Sequence, residues 1–236
     1  MRFWLLFVAL FPLLLWQGIR TRKTAIRLPE ATGETSGTVG QHYSGKTLRL
    51  HIVGESPVAG VGVATHQDGI GPALAKVIAN QLQRPVQCQV NGENGAPLAT
   101  LLTTLPPPAR CDLTLIMIGV NDTTRLTSRQ QWRLQLLALY RRLSAQGPVG
   151  FFTLPPVGDF SALPQPLRYV IGQRAQQLNR DLQNFCQTHR LPFISYQSPA
   201  TAQYLAEDGY HPSAAGYHAI AEQVGAQLIK LFAKPC

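Results

Sequence analysis

The sequence predicts an α/β fold in which a parallel sheet carries helices on both faces. Three observations predict it. The chain has 236 residues of which 45% are hydrophobic, enough for one sizeable domain with a real core but not for a second. From Leu48 onward a strand-like run and a helix-like run alternate five times, as βα units do. The strand-like runs are almost continuously apolar, which suits strands buried on both sides.

The first strand spans Leu48 to Val53, and a helix from Ile70 to Leu82 follows with Leu74, Val77, Ile78 and Leu82 on one face. The second strand is Val86 to Val90. A short helix near Leu98 to Leu105 leads through Pro106-Pro107-Pro108 to the third strand, Leu113 to Ile118. Ser128 is a helix cap, and the helix to Gln146 repeats Trp132, Leu136, Leu139 or Tyr140, and Leu143. The fourth strand is Val149 to Leu154. A helix from Leu167 to Thr188 precedes the fifth strand, Pro192 to Tyr196, and Ser213 caps a last helix carrying Tyr217, Ile220, Val224, Leu228 and Leu231. The expected sheet thus has five parallel strands, with no internal repeat or low-complexity tract.

Charge is sparse and unevenly placed. Only 14% of residues are charged, against about a quarter in ordinary domains, and 21 glutamines supply much of the remaining polarity. Of the formal +9, residues 1 to 50 carry +5, seven Lys/Arg against Glu30 and Glu34. A nucleic-acid binder concentrates its basic residues on the folded part, so no nucleic-acid partner is expected. Cys88, Cys111, Cys186 and Cys236 show neither a C-x-x-C pair nor a Cys/His cluster; they read as free thiols, and no metal site is expected.

Phe3 to Trp16 is an apolar run interrupted by Pro12, reaching Ile19 if Gln17 and Gly18 are admitted. A bilayer core of about 30 Å asks for roughly 20 helical residues. Residues 1–19 therefore read as a membrane anchor or signal-like segment, with a buried helix as the remaining option. Arg20, Arg22, Lys23 and Arg27 follow; for an anchor, the positive-inside bias places the rest of the chain in the cytoplasm, whereas a cleaved signal places it outside. Residues 20–47 read as a basic and flexible linker, and residues 48–236 as the folded domain.

In open parallel sheets the ligand crevice lies beyond the carboxyl ends of the strands. Four of the five ends carry chemistry: Gly54-Glu55-Ser56, Asn91-Gly92-Glu93-Asn94-Gly95, Gly119-Val120-Asn121-Asp122 and, after a loop, Asp208-Gly209-Tyr210-His211-Pro212. A serine hydroxyl needs a base to remove its proton, and the base needs a partner to fix its tautomer. Ser56, His211 and Asp208 fit these roles. An acyl-transfer intermediate also needs donors for its oxyanion, for which Ser56 N–H, Gly95 N–H and the Asn121 side-chain amide are the candidates. Asp122 reads as a loop organiser.

These four segments, in this order and spacing, resemble the four sequence blocks of the SGNH hydrolases, or GDSL esterases/lipases, over roughly Leu48 to Leu231. The resemblance implies a flavodoxin-like three-layer α/β/α sandwich without a cofactor. Two departures stand out. Glu55 occupies the usual aspartate position, one methylene longer, and Gly95-Ala96-Pro97 replaces the usual Gly-Asp-Thr, removing two polar side chains.

The expected function is a serine-dependent carboxylic ester hydrolase working through an acyl-enzyme, on a small-molecule or lipid ester, attached to a membrane through its N-terminal segment. Removal of acetyl groups from a carbohydrate uses the same triad; a non-catalytic module on a membrane anchor is the option from another class. His42, His51, His66, His189 and His218 read as surface or packing residues, with His66 nearest the nucleophile. The loop from Pro155 to Pro166, with Phe160 and Leu163, is expected either to cover core or to shape an apolar pocket. Arg125 and Arg129 read as solvated residues or as attractors of an anionic group.

Overall fold

Along each central strand alternate side chains face opposite sides, so a sheet apolar at both parities must be covered twice. The computed structural model describes residues 2–107, 109–197 and 201–232; Pro108 of the proline turn and Cys236 lie outside them. Its strands are β1 (Ser36–Val39), β2 (Leu48–Gly54), β3 (Val86–Gly92), β4 (Leu113–Met117), β5 (Val149–Phe152) and β6 (Phe193–Ile194). The helices are α1 (Arg2–Ala9), α2 (Phe11–Thr24), α3 (Ile70–Leu82), α4 (Leu98–Thr104), α5 (Val120–Thr124), α6 (Arg129–Ser144), α7 (Leu167–His189) and α8 (Ala214–Phe232).

The sheet order is β1-β3-β2-β4-β5-β6, parallel from β3 to β6. Leu50, Ile52, Leu115 and Phe152 pack with α3 and α8 on one face, while Val53, Ile116 and Phe151 pack with α4, α6 and α7 on the other. All five expected strands are present, and the helix over Ile70–Leu82 has the predicted limits. Ser128 forms a reciprocal capping box with Gln131 at the start of α6.

One expectation is corrected. The sheet has six strands, because Ser36–Val39, inside the segment read as a linker, pairs antiparallel with β3. Its first three side chains are exposed, so it is an edge strand held by backbone hydrogen bonds and carries no alternating apolar pattern to announce it. The apolar N-terminal run, which Pro12 interrupts, forms two helices, α1 and α2. Pro12 sits in the first turn of α2, where its missing N–H costs nothing, and α1 and α2 meet at an angle of 83°. Among the described residues no single helix is long and apolar enough to cross a membrane; the α1–α2 pair reaches that composition only together. Cys88, Cys111 and Cys186 are free and buried.

Candidate active site

The carboxyl ends of β2, β3 and β4 and the loop before α8 converge on one rim of the sheet. β2 ends at Gly54, where a Cβ would lie 2.2 Å from the Met117 carbonyl oxygen; only glycine lets the strand turn there beside β4. Gly92 at the end of β3 is equally constrained, since a Cβ would come within 2.1 Å of the Ala59 nitrogen. These close approaches press the turn that carries Ser56 against its neighbours. The turn is closed by hydrogen bonds from Val58 and Ala59 N–H to the Glu55 carbonyl and from Val61 N–H to the Ser56 carbonyl. The buried Tyr217 of α8 fastens it by donating its hydroxyl to the Val61 carbonyl at 2.6 Å.

Ser56 Oγ lies 2.8 Å from His211 Nε2, and His211 Nδ1 lies 2.5 Å from Asp208 Oδ2. The three side chains thus form one chain of hydrogen bonds across 155 residues of sequence. The second carboxylate oxygen, Asp208 Oδ1, accepts the backbone N–H groups of Tyr210 and His211, so the loop itself fixes the carboxylate. Burial alone raises the Asp208 carboxyl, but the hydrogen bonds from the His211 ring and from these two N–H groups outweigh it and hold the group below its ordinary value. Asp208 is therefore ionised at neutral pH and oriented to stabilise a cationic imidazole.

Glu55, 3% exposed, reaches across to α5. Its carboxylate accepts Val120 N–H at 2.8 Å, Asn121 N–H at 3.0 Å and the Asn121 side-chain N–H at 2.5 Å. The residue that departs from the family pattern thus fixes Asn121 at both backbone and side chain. Burial pushes the Glu55 carboxyl up to about 7, against the pull of those hydrogen bonds and with help from the nearby Asp122 charge.

An oxyanion donor must be free of internal acceptors. Ser56 N–H and Gly95 N–H have no acceptor among the described residues, and one of the two Asn121 amide hydrogens remains after Glu55 takes the other. Ser56, Asn121 and His211 border one cavity of about 320 Å³, whose apolar wall includes Met117, Val157, Phe160, Leu163 and Ile220. Gly95 itself does not border it; Asn94 does. Gly95 adopts a left-handed φ of 73°, and its carbonyl accepts the Arg125 guanidinium at 3.1 Å. The loop from Pro155 to Pro166 does supply pocket wall, as one of its two expected roles requires. Thr21 of α2 also reaches this cavity.

The remaining candidates are drawn into structure. Asp122 accepts Leu98 N–H and the Thr127 hydroxyl, each at 2.8 Å, so it caps α4 where Ala96 and Pro97 offer no side-chain donor or acceptor. Arg129 is committed to Asp181 by two bonds of 2.6 and 2.7 Å. His51 pairs with Asn91 at 2.7 Å, His189 packs on Phe185, and His218 is exposed beside Glu222. His66 borders a different cavity, next to β1.

Two contributors escaped the sequence reading. One is Glu55 as the residue that grips Asn121. The other is Glu30, inside the supposed linker, whose carboxylate accepts Asn94 N–H at 2.7 Å; a single glutamate in a Gly/Thr/Ser-rich stretch carries no signal of such a role.

Comparison with known proteins identifies the fold and the family. A GDSL-like esterase of Mycobacterium tuberculosis is 30% identical over 141 residues, 56% of this chain, and the chain spans only 44% of that relative's length. Among solved structures, the lipase/acylhydrolase of Enterococcus faecalis superposes with a TM-score of 0.56 at 21% identity, covering 78% of this chain and 96% of its own. An acetyl xylan esterase variant from Geobacillus stearothermophilus gives 0.57 at 16% identity, covering 79% and 94%. At such identities these two structures speak for the fold. The model of the GDSL-like lipase/acylhydrolase family matches residues 52–219, from the middle of β2 into α8, and the chain belongs to that family.

Proposed function

We propose that the chain is a carboxylic ester hydrolase whose nucleophile is Ser56. The observation that carries this reading is the continuous relay Asp208–His211–Ser56, with contacts of 2.5 and 2.8 Å, at the wall of an apolar cavity. His211 Nε2 takes the Ser56 hydroxyl proton as Oγ attacks the ester carbonyl carbon. Negative charge on the former carbonyl oxygen is met by Ser56 N–H and the free Asn121 amide hydrogen, both at the cavity wall. The intermediate collapses as His211 hands its proton to the departing alkoxide, leaving an acyl group on Ser56. Water then attacks, His211 accepts one of its protons, and the carboxylic acid leaves as that proton returns to Ser56 Oγ.

The apolar wall favours an ester with a hydrocarbon acyl or alkyl group over an acetylated sugar, whose hydroxyls would find few partners there. Ser56→Ala tests the reading. Hydrolysis of a short-chain aryl ester should fall by about 10⁶-fold with the unfolding transition unchanged, and labelling by a fluorophosphonate should disappear. Retained turnover would remove Ser56 from the mechanism, and a parent protein inert to the probe would leave a binding module.

A further inference from the structure

The two N-terminal helices are held by one face and bare on the other. Phe3 and Leu14 pack on Val170 of α7 and are almost fully buried. The Phe3 ring covers the buried guanidinium of Arg174, 5.6 Å from its centroid. Gln17, 7% exposed, donates its amide to the Gln165 carbonyl at 2.7 Å and accepts Leu167 N–H at 3.1 Å. Gln165 belongs to the same loop as Phe160 and Leu163 of the pocket wall, and Thr21 of α2 borders the cavity itself. The hairpin is therefore docked on the catalytic body at the mouth of the site.

The outer face is unlike the rest of the surface. Nine of the twelve large hydrophobic side chains exposed among the described residues lie between Trp4 and Ile19. Such a concentration marks a surface meant for an apolar partner. Trp4 and Trp16 are half exposed within it, the residue type that settles at a lipid–water boundary. The apolar band ends in Arg20, Arg22, Lys23 and Arg27, and no carboxylate precedes Glu30; the Arg20 guanidinium sits 5.4 Å above the Trp16 ring. With 8 and 14 residues, the helices are about 12 and 21 Å long, each short of the roughly 30 Å of a bilayer core. An apolar face bordered by cations, on helices too short to span and pinned by polar bonds to a folded body, is what an in-plane interfacial element requires.

We propose that α1 and α2 form a monotopic seat that lays the protein flat on an anionic lipid surface, with the pocket mouth at headgroup level, so that the ester reaches Ser56 from the lipid phase. The seat stands apart from the hydrolase reading; the route of the ester rests on it.

Flotation of the full chain with phosphatidylcholine vesicles, with and without phosphatidylglycerol, tests the seat. Binding should be at least tenfold stronger on the anionic vesicles and weaken with salt. The double variant Leu5→Glu/Trp16→Glu should lose at least tenfold in binding to both, while turnover of a soluble aryl ester stays at the parent level, which also reports that it folds. Arg22→Gln/Lys23→Gln should abolish the preference for anionic lipid without removing the apolar contribution. On proteoliposomes the amino terminus should be open to protease added on the side of the catalytic body. Equal binding by the Leu5/Trp16 variant, no anionic preference, a protected amino terminus, or a mature chain beginning after residue 24 would each overturn the proposal. If vesicle binding behaves as expected but Ser56→Ala still hydrolyses esters, the hydrolase reading fails and the seat survives.

Discussion

Glu55 grips Asn121 twice over, accepting its backbone N–H at 3.0 Å and its side-chain N–H at 2.5 Å. The consequence is directional. One amide hydrogen is committed to the buried Glu55 side chain, which fixes the rotamer of Asn121 at the border of the cavity and leaves its other hydrogen available there. Preorganisation of this kind is what makes a neutral donor effective in stabilising an oxyanion, because nothing need reorient as charge develops.

Asn121→Ala should therefore reduce kcat by about 10²- to 10³-fold with little change in KM, measured on a soluble aryl ester. On the proposed mechanism the substitution removes a transition-state donor and leaves the apolar wall of the cavity intact. A rise in KM at unchanged kcat would assign Asn121 to ground-state binding instead.

Glu55 also links stability to pH. Its carboxyl is raised by burial from 4.5 to about 7, so between those values the folded chain holds a proton that the unfolded chain has released. Stability from this group is fully present below pH 4.5 and is lost as pH rises through about 7. Relative to the parent, Glu55→Gln should gain stability as pH rises through that window, by at most about 1.4 kcal/mol per pH unit and about 3 kcal/mol in total. Urea unfolding of both proteins at pH 5, 6 and 7 measures the difference directly. Parallel stability profiles would mean that Glu55 titrates as an ordinary exposed glutamate.

The parts of the fold visible in the sequence were those whose side chains do the packing. Leu50, Ile52, Leu115 and Phe151 sit in strands buried on both faces, and the Leu74, Val77, Ile78 set turns one face of α3 to the sheet; both patterns are written in residue type. The edge strand was hidden because its stability resides in backbone groups common to all residues. The relay of Ser56, His211 and Asp208 was legible because each residue stands just past a strand or in the loop entering α8, where parallel sheets place their ligands. The support behind it was not. Glu55 reaching α5, Asp122 capping α4 and Glu30 holding Asn94 are contacts between segments distant in sequence, and no local spacing encodes them.

Glu30 makes that lesson testable. Its carboxylate tethers the N–H of Asn94, which borders the cavity, although both partners lie near the surface. Glu30→Ala should lower kcat several-fold by loosening that loop, with a stability change of about 1 kcal/mol or less, and Glu30→Gln should restore most of the rate because an acceptor oxygen is retained. An unchanged kcat in Glu30→Ala would reduce the N-terminal segment to a packing role.

The pocket wall separates two effects that a single substitution would confuse. Leu163 faces the cavity from the loop before α7, whereas Phe160 also stacks on Tyr210 with ring centroids 6.2 Å apart, one residue from His211. Leu163→Ala should raise KM for an octanoyl aryl ester several-fold, since about 1 kcal/mol of apolar contact is lost, and should leave the acetyl ester untouched. Phe160→Ala should depress kcat for both esters, because it frees Tyr210 and with it the loop that orients the imidazole. Equal effects of Leu163→Ala on the two esters would show that the loop acts on catalysis through His211 and leaves acyl preference to the Met117 and Ile220 side of the cavity.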